Sequence, residues 1–345
     1  MSVRFGLAYD FRNPERWKRP WPEVFSALLE QIEYVDTLGY DSIWITEHHF
    51  VEDGYTPSPV TLLAAIAART RNVRLATDIL LLPLYHAVRL AEDLATIDLI
   101  SGGRLMLGVG MGYRDEEFEA FGQTRRERVG RTEEAIDVLR GCWADRPFSY
   151  EGRHYRLRDL VVTPKPLQRP HPPLFLASTS EAAARRAARL DLHLLPQGDL
   201  RVAYEPWLDE LAKRGKSPAD YRIGIIKPWL IADGRDDPLW QRMREHERYR
   251  AAVYAPWIRA GAYAEPPPGS PHPIDQSYLL GSPAELIEGI EQFRNGLPAT
   301  DIIGWGTPVG MDPQEVTPSL ERFAREVIPH FRGEGGRPDQ SFGLA

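Results

Sequence analysis

Short apolar runs alternate with longer amphipathic segments along this chain, and that alternation limits the possible fold more than any other feature. Strand-like runs occur at 3–8, 42–45, 73–82, 104–109, 173–177, 192–195, 223–231 and 301–304. Segments with helical spacing follow at 24–38, 59–68, 85–100, 131–143, 180–189, 204–214, 284–293 and 318–331. In the first of these, Phe25, Leu28, Leu29, Ile32 and Val35 share one face, and Gly39 is a natural helix stop. Strands joined through helices are parallel, because the crossover returns the chain to the same edge of the sheet. Eight such units predict an α/β fold, a (β/α)8 TIM barrel, as one domain over 1–335. Two stretches break the repeat and read as insertions, 147–169 and 232–275, and the Gly-rich end at 336–345 reads as a flexible tail.

A doubly wound dinucleotide-binding sheet fits less well. Its glycine fingerprint belongs at the first strand–helix turn, and residues 10–14 contain no glycine. The run Gly108-Val-Gly110-Met-Gly112 has another spacing and comes late, and tight backbone packing explains it at least as well as phosphate binding.

Composition narrows the partners. The net charge of −7 comes from interspersed acidic and basic residues, which argues against nucleic acid or an anionic membrane surface. The single cysteine, Cys142, allows no intrachain disulfide. No segment approaches the roughly 20 uninterrupted apolar residues of a membrane span, and the N-terminus lacks the apolar core of a signal peptide. A soluble, cytoplasmic protein is the expectation.

The candidate site begins where the apolar run Ser42–Ile45 gives way to Glu47, His48 and His49. Three ionisable groups in a row do not suit a strand interior, but at the C-terminal end of a barrel strand they face the cleft where chemistry is done. The plainer alternative is a pair of loop histidines bonded to backbone carbonyls. Neighbours on an extended chain point to opposite sides, so one histidine of the pair suits a structural role. Asp78 interrupts an apolar strand, either as a functional group or as a carboxylate capping a bulge. Ser178, Thr179 and Ser180 lead into a helix, where free amides and hydroxyls make an anion site, a helix cap, or both. Tyr113, Arg114, Gln197, Lys227 and Trp305 follow other barrel strands and are further candidates for the cleft wall. No metal is expected, because Glu47, His48 and His49 have no second ligand cluster at usable spacing.

Four stretches, taken together, resemble the bacterial luciferase-like flavin-dependent monooxygenases. They are Trp44-Ile-Thr-Glu47-His48-His49-Phe50; Leu82-Pro83 through Asp93, continuing to Asp98-Leu-Ile-Ser101-Gly-Gly-Arg104; Leu107 to Gly112 with Glu117-Phe-Glu-Ala-Phe-Gly122; and Val162-Thr-Pro-Lys-Pro166 leading to Pro172-Pro-Leu-Phe-Leu-Ala177-Ser178. They span most of 1–195, and Leu280-Gly281-Ser282-Pro283-Ala-Glu285 extends the likeness towards the C-terminus.

The resemblance implies reduced FMN as co-substrate, delivered by a separate flavin reductase, with molecular oxygen and a small organic substrate as the other reactants. In that chemistry oxygen adds at ring carbon C4a, and the resulting C4a-peroxyflavin attacks the substrate. His48 matches the family's active-site histidine, suited to general-base work, and Glu47 either orients it or anchors the loop. The match also places Asp78-Ile79 beneath the flavin, at a bulge that often holds a non-prolyl cis peptide. Ser178, Thr179 and Ser180 would cradle the flavin phosphate. Family members add an arginine within the stretch corresponding to Gly110–Gly112; here it is Met111, and Arg128 or Arg131 is the alternative source of charge. The same family includes deazaflavin-dependent hydride-transfer enzymes, which are the first alternative; a non-catalytic flavin-binding partner subunit is the second. A homodimer through the Ala-rich helices at 62–68 and 90–97 is expected.

Overall fold

The structure, a computed structural model, describes residues 3–198, 200–257, 272–295 and 297–332. Eight parallel strands form its centre: β1 (Arg4–Tyr9), β2 (Ser42–Ile45), β3 (Arg74–Thr77), β4 (Leu107–Gly110), β5 (Leu174–Ser178), β6 (His193–Pro196), β7 (Gly224–Ile226) and β8 (Asp301–Trp305). One sheet runs β7–β8–β1–β2–β3; the other runs from the short strand Leu80–Leu81 through β4 and β5 to β6. Isolated bridges Leu75↔Leu105 and Leu194↔Ile223 join the two sheets at both seams, so the barrel closes. The helices are α1 (Trp21–Leu38), α2 (Pro59–Arg69), α3 (Ala87–Ser101), α4 (Asp115–Ala120), α5 (Arg128–Trp143), α6 (Glu181–Arg189), α7 (Leu200–Lys213), α8 (Pro238–Tyr254), α9 (Pro273–Ser277), α10 (Pro283–Arg294) and α11 (Pro313–Glu326).

Two apolar layers follow from the strand period. Side chains pointing outward from the strands pack against the helices, as Phe5, Leu7, Ile43 and Leu75 do. Those pointing inward fill the barrel: Ala8, Trp44, Ala76, Met106, Phe175, Leu195 and Ile303 are all buried. Near the opposite end from the candidate site, Arg222 is paired with Asp301 in that interior. Helix ends obey local chemistry. Gly39 terminates α1 in the left-handed conformation, φ +97°, and Ser282 with Glu285 forms a reciprocal capping box on α10.

The structure revises three sequence expectations. The run 223–231 is not one strand: β7 stops at Ile226, and after Lys227-Pro228 the chain leaves the barrel as Trp229–Ile231 to pair in parallel with Leu279–Gly281. Pro228 has no amide donor, which favours a break in the ladder there. The stretch 147–169, expected to be irregular, contains an antiparallel hairpin of Phe148–Glu151 and Arg156–Leu160. The last helix begins at Pro313, capped by Asp312, and carries Pro318 within it. Within 232–275, α8 is a 17-residue helix and α9 begins at Pro273; 258–271, and the tail at 336–345, lie outside the described residues. Among the described residues no helix is long and apolar enough to cross a membrane.

Candidate active site

The chain after β2 turns sharply, and its three ionisable groups part company. Glu47 points inward and is fully spent on local bonds: it accepts from the Leu81 amide at 2.6 Å, the Tyr85 hydroxyl at 2.7 Å, and lies 2.9 Å from His49 Nε2. Glu47 and His49 thus fasten the loop to the chain after β3. No bond joins Glu47 to His48.

The partner of His48 is Glu117, on α4. Its Oε1 lies 2.9 Å from His48 Nδ1 and also accepts from the His49 amide at 3.0 Å and from Arg114 at 3.2 Å. Burial pushes the Glu117 carboxyl up, but the His48 bond, the His49 amide and Arg114 outweigh it and hold it below the ordinary carboxylate range. An ionised carboxylate only accepts, so the proton of a neutral His48 ring sits on Nδ1. Nε2 is then the free base, and the Tyr113 hydroxyl, 3.1 Å away, donates to it. Arg114 is fixed by a 2.6 Å bond to the His49 carbonyl and stacks over Trp257 at 4.2 Å.

Aromatic side chains roof this group. The rings of Tyr55, Tyr113, Trp257 and Tyr254 stand 4.9, 5.5, 5.1 and 5.7 Å from that of His48, leaving the histidine 6% exposed. Tyr254 ends α8 and is hydrogen-bonded to Tyr55 through their hydroxyls, so the second insertion covers the mouth on this side.

Beside it, the ends of β3, β4 and β5 continue the rim. The Asp78–Ile79 peptide is cis. Asp78 Oδ1 accepts from Gln197 Nε2 at 2.7 Å, linking the chain after β3 to that after β6. Its other oxygen is buried without a hydrogen-bond partner, and burial, opposed by Gln197, pushes the carboxyl up to about 6. A Cβ at Gly108 would overlap the Thr77 carbonyl oxygen, and one at Gly110 would overlap Ile79 Cδ1. These glycines are where they are because β4 presses against the bulge, as the packing reading of that run expects. Ser178 is buried at the end of β5, Thr179 is exposed, and Ser180 caps α6 by accepting from the Ala183 amide at 3.4 Å. An unfilled buried oxygen on Asp78, a close-packed backbone bulge and a hydroxyl-rich helix start on one rim are compatible with a flavin and its phosphate.

Other candidates serve elsewhere. Met111 is half-buried beside this rim. Arg128 begins α5 and donates to the Arg125 carbonyl at 3.2 Å, bordering a cleft with Arg125 and Arg126; Arg131 pairs with Glu127 at 3.2 Å. Lys227 reaches the Ser277 carbonyl at 2.7 Å and so ties down the neck of the second insertion. Trp305 lies under Arg250, 3.7 Å from its guanidinium. No group of side chains able to hold a metal occurs among the described residues.

With this geometry in view, the chain belongs to the luciferase-like monooxygenase family, whose profile matches residues 3–300; the relatives named below with an assigned activity are oxidoreductases. It is 28% identical over 341 residues to the 4-hydroxyprotoasukamycin monooxygenase of Streptomyces nodosus subsp. asukaensis, covering 91% of this chain and 89% of that one. Among solved structures, the monooxygenase RslO1 from Streptomyces bottropensis superposes with a TM-score of 0.83 at 27% identity, over 95% of this chain and 100% of that one. Matches to two uncharacterized proteins of Sinorhizobium fredii, 34% and 38% identical, span about half of those relatives' length, 47% and 48%. Relatives differ in cofactor. The FMNH2-dependent dimethylsulfone monooxygenase of Pseudomonas putida is 35% identical over 58% of this chain and 53% of that one, and the F420-dependent glucose-6-phosphate dehydrogenase of Amycolatopsis mediterranei is 28% identical over 91% and 89%.

Proposed function

We propose that this protein is the oxygenase of a two-component system, taking reduced FMN from a separate reductase and using molecular oxygen to oxidise a small organic substrate. The observation that carries this reading is the Glu117–His48–Tyr113 chain set at a barrel rim under an aromatic roof. Asp78, Ile79, Gly110, Met111, Ser178, Thr179 and Ser180 would hold the flavin, with Arg128 as a supplementary charge. Bound reduced flavin supplies the electrons and the ring at which oxygen is activated, so that one oxygen atom enters the substrate and the other leaves as water.

The protein's own contribution is narrower. Glu117 fixes the ring and tautomer of His48, leaving Nε2 to take or return a proton, with Tyr113 as its hydrogen-bonded neighbour. Tyr55, Tyr254 and Trp257 keep water from that nitrogen. Glu47 acts indirectly, by holding His49 and the loop. A homodimer through α2 and α3 belongs to the same reading, supported by the exposed Leu99 and Ile100 on α3.

Hydride transfer to or from a deazaflavin is the second reading, favoured by the full-length likeness to the F420-dependent dehydrogenase. Parallel anaerobic titrations with reduced FMN and reduced F420, followed by measurement of oxygen uptake, separate the two. Saturable binding of reduced FMN with altered oxygen consumption is expected; binding of the deazaflavin alone would overturn the oxygenase reading.

A further inference from the structure

Next to Tyr55, the mouth of the barrel holds a buried charged cluster that the reading above does not use. Asp10 and Arg12 come from the chain after β1, Asp53 from that after β2, and Glu247 and Arg250 from α8. Asp10 is 5% exposed, Arg12 1%, Asp53 2%, Glu247 0% and Arg250 8%.

Most of these groups are matched. Arg12 Nε donates to Asp53 at 2.8 Å, and Tyr249 donates to the same oxygen at 3.0 Å. Arg250 is bonded to Glu247. Asp10 is the remainder: both its oxygens are buried without a hydrogen-bond partner, and its nearest cation, Arg12 Nη1, stands off at 3.6 Å. Among the described residues, the charged groups around Asp10 are Arg12, Arg250, Asp53 and Glu247. With Asp10 itself that makes three carboxylates against two guanidiniums, one negative charge in excess. A buried carboxylate without hydrogen bonds, sharing its ion-pair partner Arg12 with Asp53, is costly to keep.

The cluster also abuts the candidate site. The Arg12 guanidinium lies 4.3 Å over the Tyr55 ring, and that ring meets His48 edge-on at 4.9 Å. Tyr55 thus touches both His48 and Arg12, the ion-pair partner of Asp10.

We propose that Asp10 is a recognition group for a protonated amine on the substrate, whose N–H groups fill its two bare oxygens and whose charge balances the third carboxylate. An N–H-bearing ammonium fits better than a quaternary one, because the unmet need is for donors as well as for charge. Burial, reinforced by Asp53 and Glu247 and opposed by Arg12 and Arg250, pushes the Asp10 carboxyl up to about 7. The proposal takes from the flavin reading only the location of the substrate.

The test is calorimetric titration of the full-length protein with n-butylammonium chloride and with 1-butanol, above the pH at which Asp10 ionises. Saturable binding of the ammonium, at least about tenfold tighter than the alcohol and weakened at least about tenfold in Asp10→Asn, is expected. Equal affinities, no saturable binding of the ammonium, or unchanged binding in the variant would each overturn the proposal. The wild-type comparison of the two probes needs no variant. A separate titration with reduced FMN on the same preparation keeps the readings apart: ammonium without flavin binding overturns the oxygenase alone, and flavin without ammonium binding overturns only the amine site.

Discussion

Glu117 Oε1 and His48 Nδ1 lie 2.9 Å apart although 69 positions separate them in the chain. One comes from the loop after β2, the other from the short helix after β4, and the barrel brings these two ends to one rim. The pairing sets which imidazole nitrogen carries the proton, and so which one is left to act.

Glu117→Gln keeps the shape but removes the charge, and an amide can present a donor to Nδ1 instead of an acceptor. Turnover with reduced FMN and a working substrate is expected to fall by about 10- to 100-fold, with reduced-FMN affinity nearly unchanged. Steady-state kinetics alongside anaerobic flavin titration check this; a variant with wild-type kcat would remove Glu117 from the mechanism.

Gly110→Ala puts a methyl group onto Ile79 Cδ1. Overpacking at such a contact costs about 1–3 kcal/mol, and the Asp78–Ile79 bulge has to shift to relieve it. A lower melting temperature and weaker reduced-flavin binding are expected together, measured by calorimetry and titration. Weaker stability with unaltered flavin affinity would show that the bulge does not contact the ring.

Ser180 caps α6, and in the flavin reading it also holds phosphate. Loss of the cap in Ser180→Ala costs about 0.5–2 kcal/mol. If the phosphate also rests there, affinity for reduced FMN drops while that for reduced riboflavin, which lacks the phosphate, stays level. An equal change for both ligands would leave only the cap.

Asp10 makes a pH prediction of definite sign. Its carboxyl is raised from 3.8 to about 7 in the fold, so the folded state binds the proton more tightly than the unfolded chain does. Stability from this group is full below the ordinary carboxylate range and is lost as pH rises from about 4 to about 7, by up to about 4 kcal/mol. Asp10→Asn lacks that loss. Its melting temperature should draw ahead of wild type by several degrees across this window and keep a constant lead above it. Parallel melting curves would show instead that Asp10 stays ionised throughout.

The barrel was legible because its signal is periodic: every strand and helix repeats the same apolar spacing, and errors in one unit do not spread to the next. Glu47, His48 and His49 were legible as a group because charge directly after Ser42–Ile45 is anomalous. Their division of labour was not. Glu117 sits among Asp115, Glu116 and Glu119, where an acid looks like ordinary favourable charge in a first helical turn. Nothing local marks it as the one facing His48. Tyr254 and Trp257 arrive from an insertion whose path follows no repeat, and Asp10 stands out only once its neighbours' bonds are known. The break at Lys227-Pro228, by contrast, had a local cause in the proline, and the apolar run on either side outweighed it in the sequence reading.

The parallel pair Trp229–Ile231 with Leu279–Gly281 closes the neck of the second insertion outside the barrel ladder. Between these two strands the chain makes an excursion whose exit and entry are stitched to each other, so the eight-strand register does not depend on what lies between. The stretch is built as an exchangeable cassette: its length and chemistry can vary while the eight-strand frame that carries His48 and Glu117 keeps its register. Since α8 within it supplies Glu247, Tyr249, Arg250 and Tyr254, one genetic change there would reset both the roof over His48 and the surroundings of Asp10.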